Sequence, residues 1–358
     1  MMEIQFTPTA TPKEKPKDES KLGFGKIFTD YMFVMDYSAD KGWHDARIIP
    51  YGPLALNPAS SVLHYGTEIF EGLKAYRTSD GEIRLFRPWE NIRRMNNSAE
   101  RLCLPEVDEE FVLSAFDRLV TLEKDWVPHE EGTSLYLRPF MYGNDPHLGV
   151  HAVHDATFVI ICSPVGAYYA EGINPVKIII EDKDVRAVRG GTGYAKCGGN
   201  YAASLRAGKK AEEKGYTQVL WLDGVERKYI EEVGSMNVMF KIDGTIVTPA
   251  LLGSVLPGIT RKSCIELLKS WGYKVEERQL SVDELVAAIK DGKLEEAWGT
   301  GTAAVVSPIG TLCYENVEYT VNGSKIGEIT QRLYDELTGI QWGRQPDPFS
   351  WCHTVCRA

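Results

Sequence analysis

From Tyr31 onward the chain reads as short apolar–polar strands: YMFVMDY (31–37), ARIIPYG (46–52) and KAYRTSDGEIRLF (74–86). The last is broken by Asp80-Gly81, a dipeptide that favours a tight hairpin turn. Helical spacing follows over Trp89–Leu102, and again over Asp108–Trp126, where Phe111, Ala115, Leu119 and Leu122 share a face. Strands are expected at Ser134–Met141 and Thr157–Cys162, so the first half reads as α+β, an antiparallel sheet with helices. Glycine, proline and tyrosine then cluster through Pro164, Gly166, Tyr168, Tyr169, Gly172 and Pro175, the signature of an interdomain loop. Beyond it, strands at Val176–Ile180 and Gln218–Leu222 precede a hairpin, Val238–Ile242 with Ile246–Val247, turning at Asp243-Gly244. A helix over 261–271 is expected with Thr260 as N-cap and Gly272 as its stop, and another begins at Ser281, where Glu284 completes a capping box. The expected organisation is an arm (1–30), a small α+β domain (31–165), a loop (166–176) and a larger α/β domain (177–358).

Length agrees: 358 residues at roughly 150 per domain make about two domains. Segment 7–20, TPTATPKEKPKDES, has nothing apolar beyond alanine, so it reads as a flexible arm. Its lysines come without arginine and among acids, which disfavours an organelle targeting peptide. Forty Lys plus Arg against fifty Asp plus Glu give a net charge of −10, which argues against nucleic acid or an anionic bilayer as partner. No apolar stretch approaches the ~18–20 residues of a membrane span. Seven irregularly spaced cysteines without a signal-peptide core predict free thiols and a cytoplasmic protein.

Several motifs fail as nucleotide or metal sites. Gly299-Thr-Gly301-Thr-Ala-Ala304 has a dinucleotide-binding form, but the β-like Val305-Val306-Ser307-Pro308 follows where a helix must open. Gly208-Lys209 lacks the remaining phosphate-loop residues, since Ala203 stands where glycine is needed. His147, His151 and His154 read as loop histidines, with no acidic or cysteine partner apparent at ligand spacing. Cys352, His353 and Cys356 read as a frayed tail, and no metal is expected.

Lys196 stands apart, with Gly190, Gly191 and Gly193 before it and Gly198 and Gly199 after it. Bare backbone lets a planar group approach, and a lysine among small residues suits Schiff-base chemistry; the competing reading is an exposed glycine-rich surface loop. Three further segments shift the balance. Leu256-Pro257-Gly258-Ile259-Thr260-Arg261 opens a helix, whose free N–H groups suit a phosphate. Glu231-Glu232 follows a strand and offers a carboxylate to a heteroaromatic nitrogen, while Arg87, Arg93 and Arg94 offer cations. Amine, carboxylate and phosphate donors together describe pyridoxal 5'-phosphate.

With HYGTEIFEGLKAY (64–76), LFRPWENIRRM (85–95), SLYLRPFMYGN (134–144), KCGGNYAASL (196–205), EVGSMN (232–237), LPGITR (256–261) and GTGTAA (299–304) in this order, the chain resembles the branched-chain amino-acid aminotransferases. These are fold-type IV pyridoxal-phosphate enzymes, and the likeness runs from about Tyr31 to Gln345. The resemblance implies that fold, with the cofactor lysine in the larger domain. It implies Lys196 as Schiff-base lysine and proton shuttle, and Glu232 as partner of the pyridine nitrogen. Arg94, Ile259, Thr260 and Thr302 fall around the phosphate, Tyr201 beside the cofactor oxygen, and Ser235, Asn237, Leu256 and Gly258 elsewhere about the cofactor. The substrate carboxylate falls to Thr302, Ala303 and Tyr136, glutamate's second carboxylate to Arg138, and the side-chain pocket to Phe70, Tyr65 and Tyr168, completed from the partner of a homodimer. The implied reaction moves the amino group of leucine, isoleucine or valine to 2-oxoglutarate, with ping-pong kinetics. The rivals are a D-amino-acid aminotransferase, an aminodeoxychorismate lyase and a silent cofactor-binding protein. Ala304 and Ser307 stand where mammalian-type members carry a Cys-x-x-Cys switch, which leaves Cys197 as the expected reactive thiol. Met236 replaces a glutamate found in some bacterial relatives.

Overall fold

In the computed structural model, which describes residues 2–166 and 173–357, the expected strands form two sheets in two compact units. Tyr168, Tyr169 and Gly172 lie outside the described residues.

The first unit comprises Met1–Ala170, Ala195–Gly198 and Gly339–Ala358. Its strands are β1 (Gln5–Phe6), β2 (Tyr31–Ser38), β3 (Gly42–Pro50), β4 (Glu68–Phe70), β5 (Leu73–Arg77), β6 (Glu82–Phe86), β7 (Ser134–Gly143) and β8 (Asp155–Val165). Its helices are α1 (Ser61–Tyr65), α2 (Pro88–Leu102) and α3 (Glu109–Leu122). The order is β1-β3-β2-β8-β7-β5-β6, with β4 also on β7; all pairs are antiparallel except β1 with β3. In β2 the alternation serves two cores. Phe33 and Met35 pack with α2 and α3 residues such as Ile92 and Phe116, whereas Met32 and Val34 join Tyr142 and Val159 on the other face. Asp108 caps α3 by accepting the Phe111 N–H at 2.7 Å. That helix ends at Leu122, which is exposed, and a 3₁₀ turn (Lys124–Trp126) follows instead of continuous helix.

The second unit comprises Glu171–Tyr194 and Gly199–Thr338. It contains β9 (Val176–Glu181), β10 (Gln218–Leu222), β11 (Ile230–Val233), β12 (Met236–Ile242), β13 (Thr245–Thr248), β14 (Val275–Glu277), β15 (Leu294–Gly301), β16 (Val305–Tyr314) and β17 (Val317–Thr320). The helices are α4 (Gly198–Glu213), α5 (Ile259–Ser270), α6 (Val282–Lys290) and α7 (Glu328–Gln341). The order β11-β10-β9-β16-β15-β12 is closed by an extra β11–β12 pairing into a ring. Its core gathers Ile178, Leu220, Val238, Phe240, Leu285 and Leu312. Ser281 caps α6 through the Glu284 N–H at 3.0 Å, but the Glu284 carboxylate pairs with Arg278, so only half the capping box forms. The N-cap of α5 is Gly258, not Thr260, which lies inside the helix.

Both termini differ from expectation. Ile4 is buried, β1 pairs with β3, and Lys13 donates to the carbonyls of Phe28 and Thr29. The Glu19 carboxylate accepts the N–H groups of His129 and Glu130. Segment 2–30 is thus held by backbone pairing and polar ties, which hydropathy does not record. At the other end β18 (Cys352–Arg357) pairs antiparallel with β6, and the buried Trp351 packs on Phe86. The tail is therefore a strand, and 339–358 and 195–198 group with the first unit rather than with a domain spanning 177–358. Among the described residues no helix is long and apolar enough to cross a membrane.

Candidate active site

Lys196 is pinned on both sides of its backbone. Its N–H donates to Ser98 Oγ at 2.9 Å, and its carbonyl accepts the Phe70 N–H at 2.9 Å. A bridge between Ile69 and Cys197 continues the pairing. The ammonium lies 4.9 Å from the Phe70 ring centroid, so the segment is a sheet-tethered link rather than a loose surface loop. Cys197 is buried by the same pairing, whereas Cys103 is exposed; the accessible thiol is Cys103.

Beside Lys196 lies a buried ion pair. Arg94 donates through Nε and one terminal nitrogen to Glu71 at 2.7 and 2.8 Å, a bidentate fork. Burial pushes the Glu71 carboxyl up, but Arg94, Lys196 and the Asn91 amide outweigh it and hold it below the usual value. The Ser98 Oγ that receives Lys196 also donates to the Arg94 carbonyl at 3.0 Å, tying the lysine to α2.

Tyr136 and Arg138 point from the same face of β7, as their spacing predicts: the Arg138 guanidinium donates to the Tyr136 hydroxyl at 3.2 Å. Arg138 also lies over the Phe70 ring at 4.8 Å. A Cβ on Gly72 would collide with the Tyr136 hydroxyl, so this position requires glycine. Arg138 Nε is buried without a hydrogen-bond partner among the described residues. Burial raises the Glu68 carboxyl, against the Gly198 N–H and the nearby Arg138 charge. Tyr65 is exposed, and its hydroxyl accepts the Gly149 N–H at 2.8 Å, so it faces the 144–154 loop.

The second unit carries the expected carboxylate. Glu232 is 3% exposed; its Oε1 accepts the Leu256 N–H at 2.8 Å and approaches Asn237 Nδ2 at 3.3 Å. Its Oε2 lies 3.0 Å from Arg186 Nε. Neighbouring Glu231 receives the Ser254 hydroxyl instead, and burial raises its carboxyl. Asn237 also donates to the Leu256 carbonyl at 2.9 Å, fastening the approach to α5. A Cβ on Gly258 would strike the Asn237 side-chain oxygen, and as N-cap glycine supplies no capping group, so the first turn of α5 keeps donors for an anion. Tyr201 is half-buried in the first turn of α4, and Ser235 is exposed in the β11–β12 turn.

Thr302 and Ala303 form a half-buried turn between β15 and β16. At its end Val305 holds φ = 60°, strained for a β-branched residue, and the buried Thr300 hydroxyl lacks a partner among the described residues. Ser307 is fully buried at the position where a second switch cysteine would stand. The sequence reading missed Glu71, Ser98 and Arg186. Glu71 lay within a motif it had singled out, but a carboxylate meeting a cation from another element leaves no local spacing to read.

A family model described as amino-transferase class IV matches residues 68–312. The chain is 59% identical over 352 residues to branched-chain-amino-acid aminotransferase 2 of Bacillus subtilis (strain 168), covering 98% of this chain and 97% of that one. Branched-chain-amino-acid transaminase 1 of the same organism is 56% identical over 349 residues, covering 97% and 98%. Among solved structures, the Escherichia coli branched-chain amino acid aminotransferase superposes with a TM-score of 0.76 at 26% identity, covering 91% of this chain and 99% of that one. The T.th. branched-chain amino acid aminotransferase complexed with N-(5'-phosphopyridoxyl)-L-glutamate gives 0.76 at 27% identity, covering 94% and 99%.

Proposed function

The chain belongs to the class IV aminotransferases, and from that premise we propose a pyridoxal-phosphate-dependent transaminase that exchanges the amino group of leucine, isoleucine or valine with 2-oxoglutarate. The observation that carries this reading is the doubly anchored Lys196, an amine positioned beside the Phe70 ring.

The residues fit the cofactor on physical grounds. The helix α5 starts without a side-chain cap, which suits a phosphate, and Glu232 is a buried carboxylate beside Arg186 with backbone support. When bound, pyridoxal phosphate supplies an electron sink for charge developed at the substrate's α-carbon. Lys196 then serves as covalent anchor and as the base that takes the α-proton and returns it one position along. Glu232 keeps the ring nitrogen protonated. Arg186, beside it, favours the charged carboxylate that this requires. The amides at Ile259 and Thr260, the Thr302 turn and Arg94 take the phosphate. Leu256, Gly258, Asn237, Ser235 and Tyr201 shape the cofactor's surroundings.

Thr302, Ala303 and Tyr136 receive the α-carboxylate, and Phe70 walls an apolar side chain with Tyr65 and Tyr168. Arg138 pairs with the second carboxylate of glutamate. Two half-reactions through one pocket give ping-pong kinetics. The enzyme acts as a cytoplasmic homodimer. Free thiols at all seven cysteines support a reducing compartment, and exposed Leu63, Leu148 and Val150 support self-association.

The test is the absorption spectrum of purified holoenzyme before and after L-leucine, with the released 2-oxo acid measured. A shift of the cofactor band with one 2-oxo acid per cofactor, then glutamate formed on adding 2-oxoglutarate, is expected. A spectrum indifferent to L-leucine but responsive to D-amino acids would overturn the assignment. Light scattering in solution checks the dimer.

A further inference from the structure

The loop joining β7 to β8 carries a cluster that the transamination chemistry does not use. We propose that Asp145, His151 and His154 form a binding site for one divalent transition-metal ion of the zinc type. One ligand atom from each lies within 4.8 Å of the others.

The protonation pattern is set by the surroundings. His151 Nδ1 lies 2.6 Å from the Gly149 carbonyl oxygen, which can only accept, so Nδ1 is the donor there and the neutral ring offers its Nε2 lone pair to a metal. That Nε2 is buried and has no hydrogen-bond partner among the described residues. It lies 3.5 Å from Asp145 Oδ1, and His154 Nδ1 lies 3.4 Å from the same oxygen. Both separations exceed a good hydrogen bond. They match the edge of a tetrahedron, about 3.4 Å for metal–ligand bonds of about 2.0–2.1 Å.

Asp145 supplies the electrostatic argument. Its side chain is 1% exposed, its Oδ1 accepts only the His154 N–H at 2.9 Å, and its Oδ2 has no partner among the described residues. A carboxylate so placed is costly unless a cation compensates it. The frame is already built. The Asp145 carbonyl accepts the Ser61 N–H at 3.2 Å, the Asn144 N–H donates to the Asp155 carbonyl at 2.7 Å, and His147 stacks on His151 at 4.2 Å. Two imidazoles and one carboxylate suit zinc, cobalt or nickel rather than magnesium or calcium, with water completing the shell. Asp145 is the acidic partner that the sequence reading did not find for these histidines.

The test uses chelator-treated holoenzyme without a histidine tag, dialysed against cobalt(II) and then zinc(II). One cobalt per chain is expected, with a visible d–d absorption that zinc abolishes. His151→Gln and His154→Gln, both at partly exposed positions, should each weaken cobalt binding at least tenfold, and the double variant should lose the visible band. Native gel filtration and far-UV dichroism of the variants guard against misfolding. No cobalt uptake by the wild type, or uptake unchanged in the folded double variant, would overturn the proposal.

Discussion

Arg138→Met separates the two substrates that one pocket must accept. A buried carboxylate needs a cation, whereas a leucine side chain needs only an apolar wall. Arg138 is suited to the first task because its Nε is buried without a hydrogen-bond partner among the described residues, although its charge also acts on the Glu68 carboxyl. Its contacts are the Tyr136 hydroxyl at 3.2 Å and the face of Phe70 at 4.8 Å. Methionine preserves most of the apolar packing on Phe70 and removes the charge. A charge-assisted contact contributes about 1.5–3 kcal/mol, so kcat/KM for 2-oxoglutarate should fall about ten- to a hundredfold. The leucine half-reaction should change far less. Single-turnover measurements of each half-reaction, made on the same preparation, read the two effects separately. Equal losses in both halves, or an undiminished glutamate half, would refute the assignment and leave Arg138 as a packing residue for Phe70.

Lys196→Ala should abolish multiple turnover while cofactor still binds through its phosphate; retention of more than about a hundredth of wild-type turnover would exclude Lys196 as the acid–base, since that function supplies ~10²–10⁴-fold. Glu232→Gln keeps an acceptor for the Leu256 N–H but cannot hold a proton on the ring nitrogen, so steady-state rates should drop in a folded protein. Unchanged rates there would point to Glu231 or to neither. Glu123 offers a pH test: burial pushes its carboxyl up from 4.5 to about 7, against the Tyr31 N–H it accepts. Between those values the folded chain holds a proton that the unfolded chain releases, so this contribution to stability is present at low pH and lost as pH rises through about 7. Glu123→Gln should flatten the fall in Tm between pH 5 and pH 8, and identical Tm–pH profiles for the two proteins would sink the idea.

Strands whose side chains sort by face were legible along the chain, because burial imposes period two; β2, with Phe33 and Met32 in opposite cores, is the clearest case. Motifs were legible where one segment carries its own context, as at Lys196 among glycines and at Leu256–Arg261, where a helix does open. Pairings made across long separations were not. Glu71 meets Arg94 and Arg186 meets Glu232 across separate segments of the chain, and neither encounter leaves a spacing in the sequence. The terminal strands failed for a related reason: β1 and β18 are short, polar and stabilised by backbone pairing, so hydropathy reads them as loose ends. Thr260 was misplaced as a cap because α5 already opens at Ile259 behind Gly258, a residue with no side chain to signal the boundary.

The pairing of β18 with β6 has a consequence for how the chain is made. Leu85 lies opposite His353, so the outer strand of the first sheet is supplied only after the ribosome has translated the whole second unit. The segment bearing Lys196 also reaches its sheet midway through that interval. The nascent first unit therefore emerges with an open β6 edge and without its amine, while the strands of the second unit follow one another with less delay. Until β18 emerges, that edge is a template for any passing strand, and the first unit is completed only after the second has been made.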